Sequence, residues 1–225
     1  MQVNEVDCTR RRIVLAGVGA CVAAAAAAWP LVAQASAATQ LERRILILGD
    51  SLSAEYGLAR GTGWVALLQE RLARQRTAAE VVNASISGET TSGGRSRLAA
   101  LLKQHRPTHV VVELGANDAL RGFPLRVTQD NLRAMVEASQ AAGAKVLLVG
   151  MRVPPNYGRR YADAFAELFV SVSRERKAAL VPFLLKDVAD RPDARDWFQP
   201  DGIHPLAKAH PVMLDHVWMG LKPLL

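Results

Sequence analysis

The sequence predicts a single-domain α/β protein, a three-layer α/β/α sandwich around a central, mostly parallel five-stranded sheet. Three observations predict this class. Short runs rich in Val, Ile and Leu alternate with longer segments in which apolar residues recur every three or four positions. The connections between the runs are long enough for right-handed crossovers, which make neighbouring strands parallel. Because no linker interrupts the alternation, residues 38–225 are predicted to form one domain.

The predicted strands are short apolar runs without a polar break, as expected for strands that are buried on both faces. The first run ends at Gly49, and Ser51 follows two residues later. Pro182 has no N–H to donate to a neighbouring strand, so the last run is assigned to a sheet edge. The five predicted strands are Ile45–Leu48, Val81–Val82, His109–Leu114, Lys145–Gly150 and Leu180–Phe183.

Five helices are predicted between and after these strands from apolar residues at helical spacing. The polar, glycine-rich segment Thr90–Gly94 is predicted to be a loop, and Gly143 is predicted to cap a helix C-terminus. The last helix is expected to run from the Asp201 segment to about Leu221, with Pro211 resetting it near its start. The other four are predicted from Trp64 through Leu72 and over Arg95–Gln104, Thr128–Ala142 and Arg159–Lys177.

The N-terminal segment has the three-part layout of a secretory signal peptide. Arg10–Arg12 precede an apolar stretch over Ile13–Ala33, and Ala35–Ala37 supplies a small-residue cleavage site. We therefore expect residues 1–37 to be removed by cleavage after Ala37, and the protein to be periplasmic or secreted. An uncleaved anchor is one alternative, because the stretch is long enough to span a bilayer. A lipoprotein modified at Cys21 is another.

Both cysteines, Cys8 and Cys21, lie in this N-terminal segment. Residues 38–225 therefore contain no thiol, which excludes a cysteine nucleophile and cysteine-based metal sites there. The net charge of +7 is compatible with anionic surroundings, such as a phospholipid surface or acidic substrates, but a solubilising surface is the simpler explanation. Basic residues are not interleaved with aromatic ones, so no nucleic-acid partner is expected. We expect a monomer whose contact with a membrane, if any, is transient.

Chemically useful residues follow three of the predicted strands. Ser51, Gly88 and Asn117 each lie just past the C-terminal end of a strand, and these ends share one edge of a parallel sheet. His204 arrives from the last connection, with Asp201 three residues before it. The five positions together offer a nucleophile, a base, a carboxylate to orient the base, and hydrogen-bond donors for an anion.

The spacing of these residue types predicts nucleophilic catalysis by serine. A serine hydroxyl needs an adjacent base, and histidine, with an unperturbed pKa of about 6.5, is suited to that task. Asp201 can hold the His204 ring in the tautomer that leaves its other nitrogen facing Ser51. The backbone N–H groups of Ser51 and Gly88 and the side-chain amide of Asn117 can bind the oxyanion.

Other polar residues are interpreted as structural. Asp50 is assigned to the turn after the first strand, Asp118 to hydrogen bonds that hold its loop, and Asp215 with His216 to a solvated pair. No histidine has partners at metal-ligand spacing, so we expect no metal and no cofactor. Two glutamates could form the carboxylate pair of a glycosidase, but no other feature of the sequence supports that chemistry. The residues concerned are His105, His109 and His210 for metal binding, and Glu89 and Glu113 for the carboxylate pair.

Beyond single residues, whole segments resemble the SGNH (GDSL) hydrolase family, whose fold is flavodoxin-like. The resemblance is strongest to the periplasmic thioesterase I, lysophospholipase and arylesterase branch and covers roughly residues 44–222. It implies an exported ester and thioester hydrolase with the triad and oxyanion hole named above. The matching segments are Gly49–Ser53, Val82–Gly88, Leu101–His105, Gly115–Asp118, Arg121–Phe123, Asn156–Tyr161 and Asp201–Pro205.

The resemblance also implies where the acyl chain of a substrate would bind. The loop Ala119–Arg126, with Leu120 and Phe123, corresponds to one that moves on acyl-chain binding, and Val153 with Pro154 corresponds to the apolar lining of the acyl groove. The expected substrates are acyl esters, acyl thioesters and lysophospholipids. A carbohydrate O-deacetylase or acetyltransferase on the same fold is an alternative, as is a catalytically inactive lipid- or sugar-binding module.

Overall fold

The computed structural model describes residues 43–225, and the predicted signal segment lies outside this range. Its centre is a five-stranded sheet in which every pair of neighbouring strands is parallel, in the order β2-β1-β3-β4-β5. This confirms the predicted fold class and the edge position of the last strand. The strands are β1 Arg43–Gly49, β2 Ala79–Asn83, β3 His109–Glu113, β4 Lys145–Val149 and β5 Ala179–Val181.

Strand β1 is interior to the sheet, hydrogen-bonded to β2 on one side and to β3 on the other. Its apolar run Ile45–Leu48 is completely buried, which explains why the sequence shows no polar alternation there. The register pairs Gly49 at the end of β1 with Glu113 at the end of β3. The loops that follow these two strands therefore start side by side at the same edge of the sheet.

Within residues 43–225, six helices cover the sheet on both faces and complete the predicted three layers. Helices α1 and α6 pack against each other, and α4 lies between α2 and α5. Helix α4 ends before Gly143, which adopts a positive φ of 83° as a residue following a helix C-terminus often does. The helices are α1 Trp64–Arg74, α2 Thr91–His105, α3 Ala116–Leu120, α4 Leu125–Ala141, α5 Arg159–Arg176 and α6 His210–Leu221.

The predicted loop Thr90–Gly94 is wrong, because α2 already begins at Thr91. Thr90 is the N-cap, and its hydroxyl accepts a hydrogen bond from the Gly93 N–H at 3.3 Å. Gly94 lies where a Cβ atom would come within 2.4 Å of the Leu114 side chain. Glycine is therefore used at this position for close packing of a helix on the sheet, and not for a turn.

Three further boundaries differ from the prediction. The segment after β3 forms the single-turn helix α3 before α4 begins at Leu125, so the expected loop Ala119–Arg126 is helical at both ends. Residues 201–206 form turns, and α6 begins only at His210, with Pro211 in its first turn, where its missing N–H has no helical acceptor to reach. Strand β2 is longer than Val81–Val82.

The interpretation of Asp215 and His216 as a solvated pair is also wrong. Asp215 forms an ion pair with Arg71 of α1 at 2.6 Å, whereas His216 is buried, 3.2 Å from Asp187. Within the described range, no helix is both long enough and apolar enough to cross a bilayer.

Candidate active site

The turn after β1 sets the position of Ser51. The Asp50 carboxylate accepts a hydrogen bond from the Leu52 N–H at 3.0 Å, and the Asp50 carbonyl accepts one from the Ser53 N–H at 3.2 Å. Gly49 has no room for a side chain, because a Cβ atom there would lie 2.6 Å from the Ser53 hydroxyl. This compact turn supports the interpretation of Asp50 as a turn residue and holds Ser51 at the edge of the sheet.

Ser51, His204 and Asp201 form one chain of hydrogen bonds. The Oγ of Ser51 lies 2.9 Å from His204 Nε2, and His204 Nδ1 lies 2.7 Å from Asp201 Oδ2. With the ring proton on Nδ1 facing Asp201, Nε2 accepts the serine hydroxyl. The arrangement is that of a nucleophile, a base and the carboxylate that orients the base.

The other oxygen of Asp201 holds its own turn together. Oδ1 accepts hydrogen bonds from the backbone N–H groups of Ile203 at 2.9 Å and His204 at 3.0 Å. The backbone N–H of His204 and the His204 ring, followed by the Ile203 N–H, lower the pKa of Asp201 to about 2. Asp201 is therefore ionised throughout the neutral range and can stabilise a positive charge on His204.

Two side chains that the sequence did not point to support His204. The ring of Tyr56 lies against the imidazole, with centroids 4.3 Å apart and planes inclined by 37°. Gln199 donates its backbone N–H to the His204 carbonyl at 2.7 Å and its side-chain amide to the Tyr56 carbonyl at 2.9 Å. The histidine is thus contacted on its ring face by Tyr56, which is distant in sequence, and on its backbone by Gln199 of the same loop.

The three donors predicted to bind an oxyanion follow the C-terminal ends of β1, β2 and β3, which are parallel neighbours in the sheet. Among the described residues, the backbone N–H groups of Ser51 and Gly88 have no hydrogen-bond partner. The Asn117 amide donates one hydrogen to Asp50 Oδ2 at 3.1 Å, which leaves its second hydrogen free. Gly88 has a positive φ of 78°, and Arg121 donates to its carbonyl at 2.9 Å. These three donors can bind a developing oxyanion.

Asp118 anchors the short helix that carries Asn117. Its carboxylate accepts hydrogen bonds from the Thr91 backbone N–H at 2.8 Å, from the Thr91 hydroxyl, and from the Thr128 hydroxyl at 3.2 Å. Asp118 and Thr91 are both completely buried. The structure thus agrees with the interpretation of Asp118 as a residue that holds its loop.

The two glutamates that were considered as a carboxylate pair have separate partners. Glu89 forms an ion pair with Arg97 at 2.6 Å. Glu113 is completely buried at the end of β3 and accepts a hydrogen bond from the Ser53 hydroxyl at 2.7 Å. These separate partners give no support to a carboxylate pair of the kind that glycoside hydrolysis requires.

The four residues predicted to bind an acyl chain differ in exposure. Val153 is buried, Phe123 is half-buried, and Leu120 and Pro154 are exposed. A surface cavity of about 500 Å³ lies between the starts of α4 and α5, and none of the four residues lines it. Its lining residues are Leu125, Tyr157, Gly158, Arg159, Arg160, Tyr161 and Ala164.

A comparison with known proteins identifies the family to which this chain is related. A family model described as GDSL-like lipase/acylhydrolase matches residues 47–212. The chain belongs to this family. The matched region contains Ser51, Gly88, Asn117 and the Asp201–His204 turn.

Similar GDSL proteins are named as ester hydrolases. Esterase TesA from Pseudomonas aeruginosa is 50% identical over 80% of this chain and 89% of its own length. Thioesterase 1/protease 1/lysophospholipase L1 from Escherichia coli K12 is 45% identical over 80% and 84%. The crystal structure of the psychrotrophic esterase EstA from Pseudoalteromonas, inhibited by monoethylphosphonate, has a TM-score of 0.75 at 46% identity, covering 80% of this chain and 97% of that one. The present chain is accordingly a GDSL hydrolase of the esterase and thioesterase type.

Proposed function

We propose that Ser51 is the nucleophile of this hydrolase, His204 its base and Asp201 the residue that orients the base. The observation that carries the proposal is the continuous chain of hydrogen bonds from Ser51 Oγ through both ring nitrogens of His204 to Asp201 Oδ2, at 2.9 and 2.7 Å. In the first step Ser51 Oγ attacks the acyl carbonyl carbon while Nε2 takes the hydroxyl proton. The ionised Asp201 then stabilises the imidazolium.

The carbonyl oxygen of the substrate gains a negative charge as the tetrahedral intermediate forms. In the proposal it is bound by the backbone N–H groups of Ser51 and Gly88 and by the free hydrogen of the Asn117 amide. Donors that are already in position stabilise this charge without reorganising, which is the largest single contribution in many acyl-transfer enzymes. The Arg121 hydrogen bond to the Gly88 carbonyl supports the proposal, because it holds the Gly88 loop in place.

Collapse of the intermediate breaks the bond to the leaving group, which takes the proton from His204 as an alcohol or thiol. The acyl group remains on Ser51 as an ester. Water then repeats the attack, giving its proton to His204, and the second intermediate releases the carboxylic acid and restores the Ser51 hydroxyl. Esters and thioesters follow the same path, because only the leaving atom differs.

We further propose that the substrates include lysophospholipids and that the enzyme meets them at an anionic membrane surface. The support is a set of four exposed apolar side chains that lie close to the proposed catalytic residues in contact or in sequence, here called the apolar rim. Tyr56 lies against His204, and Ile203 directly precedes His204. Ile86 lies two residues before Gly88, and Leu120 lies three residues after Asn117. These side chains are 42–51% exposed. Without residues 1–37, which carry three arginines and two acidic residues, the net charge is still +6, which complements anionic headgroups.

A substrate series tests both parts of this proposal. Chromogenic esters from acetyl to palmitoyl should be hydrolysed faster with longer chains, whereas a carbohydrate deacetylase would prefer acetyl. Palmitoyl lysophospholipid in vesicles containing phosphatidylglycerol should be hydrolysed faster than in neutral phosphatidylcholine vesicles. Sodium chloride should reduce this difference, because it screens the attraction between exposed charges.

A matched pair of variants tests the role of the apolar rim. Ile86→Ser should lower the rate on anionic vesicles, relative to the rate on a soluble butyryl ester, by about tenfold, since full burial of an Ile side chain stabilises by about 1.5–3 kcal/mol. Met219→Ser is the control, because Met219 is exposed on α6, outside the rim. Equal rates on neutral and anionic vesicles, or equal effects of the two variants, would contradict membrane docking and leave the hydrolase assignment intact.

The proposed function also includes export of the protein and its action as a monomer. We infer that residues 1–37 are removed on export to the periplasm or medium and that a monomer is the active unit, since all the proposed catalytic residues come from one chain. N-terminal sequencing of the exported protein should begin near Ala38. A lipid-modified Cys21 or a retained N-terminus would contradict cleavage, and an obligate dimer in sedimentation analysis would contradict the monomer.

A further inference from the structure

Two carboxyl groups with no role in the triad lie buried directly behind Ser51. Asp50 follows β1 and is 1% exposed, and Glu113 ends β3 and is completely buried. Strand register brings them together, since Gly49, the residue before Asp50, pairs with Glu113. Among the described residues, neither carboxyl group forms an ion pair with Lys or Arg. The ionisable groups that act on them are each other and, for Asp50, His204.

The hydrogen bonds of the two groups are not equivalent. Both oxygens of Asp50 accept, Oδ1 from the Leu52 N–H at 3.0 Å and Oδ2 from the Asn117 amide at 3.1 Å. Glu113 Oε2 accepts from the Ser53 hydroxyl at 2.7 Å and, more weakly, from the Asp50 N–H at 3.4 Å. Glu113 Oε1 is buried and has no donor among the described residues. Both oxygens of an ionised Asp50 therefore have a hydrogen-bond donor, whereas one oxygen of an ionised Glu113 would have none.

We propose that Asp50 and Glu113 hold a single proton between them, on Glu113, and that the Asp50 anion positions the Asn117 amide for the oxyanion. A carboxylate only accepts hydrogen bonds, so two adjacent ionised groups would repel each other and leave Oε1 unsatisfied. A proton on Glu113 Oε1 lets it donate to Asp50. One negative charge, not two, then lies behind the oxyanion hole.

The electrostatics of the pair agree with this distribution. Burial, followed by the charge of Asp50, raises the pKa of Glu113 well above its ordinary value. Burial also raises the pKa of Asp50, to about 6, while the Leu52 N–H, the charge of His204 and the Asn117 amide act in the opposite direction. The hydrogen bond between the carboxyl groups raises the pKa of Glu113 and lowers that of Asp50, so Glu113 retains the proton.

The functional consequence concerns the direction of the Asn117 amide. Asn117 is the second residue of the single-turn helix α3, and its side-chain nitrogen is fixed by one hydrogen bond to Asp50. That bond uses one amide hydrogen and directs the other away from Asp50. Asp50 and Glu113 are therefore positioning residues, which act on the reacting oxygen only through Asn117. The inference rests on the role proposed above for Asn117.

Infrared difference spectroscopy detects the proton without reference to catalysis. At pH 7.5 the exported domain should show the carbonyl stretch of a buried, protonated carboxylic acid, and Glu113→Gln should remove it. Glu89→Gln is the matched control and should leave the band in place, since Glu89 is ion-paired with Arg97. If the unmodified protein shows no such band, Glu113 is ionised and the proposal is wrong, whatever the variants do.

Kinetics of conservative variants test the positioning role. In Glu113→Gln the side-chain amide can donate to Asp50 in place of the acid proton, so kcat should fall by no more than about threefold. Asp50→Asn instead turns an N–H toward the Leu52 or Asn117 donors. It should lower kcat by about 10- to 100-fold at similar KM. Equal losses in both variants would show that a charged Glu113 is needed and overturn the proposal. Unchanged kcat in Asp50→Asn would overturn the positioning role. Circular dichroism confirms that each variant is folded.

Discussion

Replacing Ser51 with alanine is expected to lower kcat for p-nitrophenyl esters by about 10⁴- to 10⁶-fold, because the acyl-enzyme cannot form without the hydroxyl. The residual rate would come from the oxyanion donors and from substrate binding alone. Steady-state hydrolysis of p-nitrophenyl butyrate measures the loss. The melting temperature should stay within a few degrees of the unmodified value, since Ser51 is only half-buried and its removal opens no core cavity.

Ser96→Ala is the matched control for this substitution. Ser96 is an exposed residue of α2, and its hydroxyl donates to the Gly93 carbonyl at 2.7 Å, away from the catalytic chain. Its removal should leave kcat and KM near their original values. Substantial activity in Ser51→Ala, after contamination by host esterases has been excluded by assaying a second preparation, would remove the basis of the mechanism.

Replacing Asn117 with alanine should have the second largest effect, a fall in kcat of about 10²- to 10³-fold with little change in KM. The amide hydrogen is needed most when the carbonyl oxygen carries its negative charge, so its loss affects the transition state more than the bound substrate. Separate measurement of kcat and KM on one soluble ester distinguishes this from a loss of binding.

Asn83→Ala provides the control for the same change of residue type at the same edge of the sheet. Asn83 ends β2 and donates to the Ser53 carbonyl at 2.8 Å, behind the turn that carries Ser51. A fall of no more than about threefold is expected there, because the variant loses only two neutral hydrogen bonds, to the Ser53 carbonyl and from the Ser85 N–H, and neither reaches the reacting oxygen. An unchanged kcat in Asn117→Ala would assign the oxyanion to other donors.

The positions of Ser51 and Asn117 were predictable because each follows a strand whose apolar pattern is clear, whereas Asp201 and His204 were proposed from their spacing and follow no strand directly. Parallel strands end at one edge, so Ser51 and Asn117 meet there whatever the details of their loops. The residues that support them could not be predicted in this way. Tyr56 contacts His204 only because the loops after β1 and before α6 come together in space. Gln199 lies in the same loop as His204, but its hydrogen bonds depend on how that loop folds, which the residue type does not signal.

The fold shows the same division between pattern and context. Strand β1 was predictable, since burial on both faces requires an unbroken apolar run. The start of α2 was not, because two glycines in its first turn have poor helix propensity, and what stabilises them there is close packing of Gly94 on Leu114. His216 was misassigned because the sequence does not reveal which face of α6 is buried.

Glu113 shows a signal that was present but incomplete. A glutamate ending the strand His-Val-Val-Val-Glu is unusual in an otherwise apolar, buried run. The sequence alone could not reveal that Asp50 lies beside it, because that contact depends on the register between β1 and β3. The partner of a buried acid such as Glu113 can be identified only when the pairing of its strand with the neighbouring strand is known.

The most direct test of the account is the covalent state of Ser51 during turnover. Rapid mixing with a p-nitrophenyl ester should release one p-nitrophenol per enzyme molecule in a burst, and mass spectrometry of the acid-quenched protein should find one acyl group, on the peptide containing Ser51. A phosphonate ester should label the same residue irreversibly. The absence of any adduct when the burst is complete, or an adduct on a residue other than Ser51, would contradict the proposed mechanism.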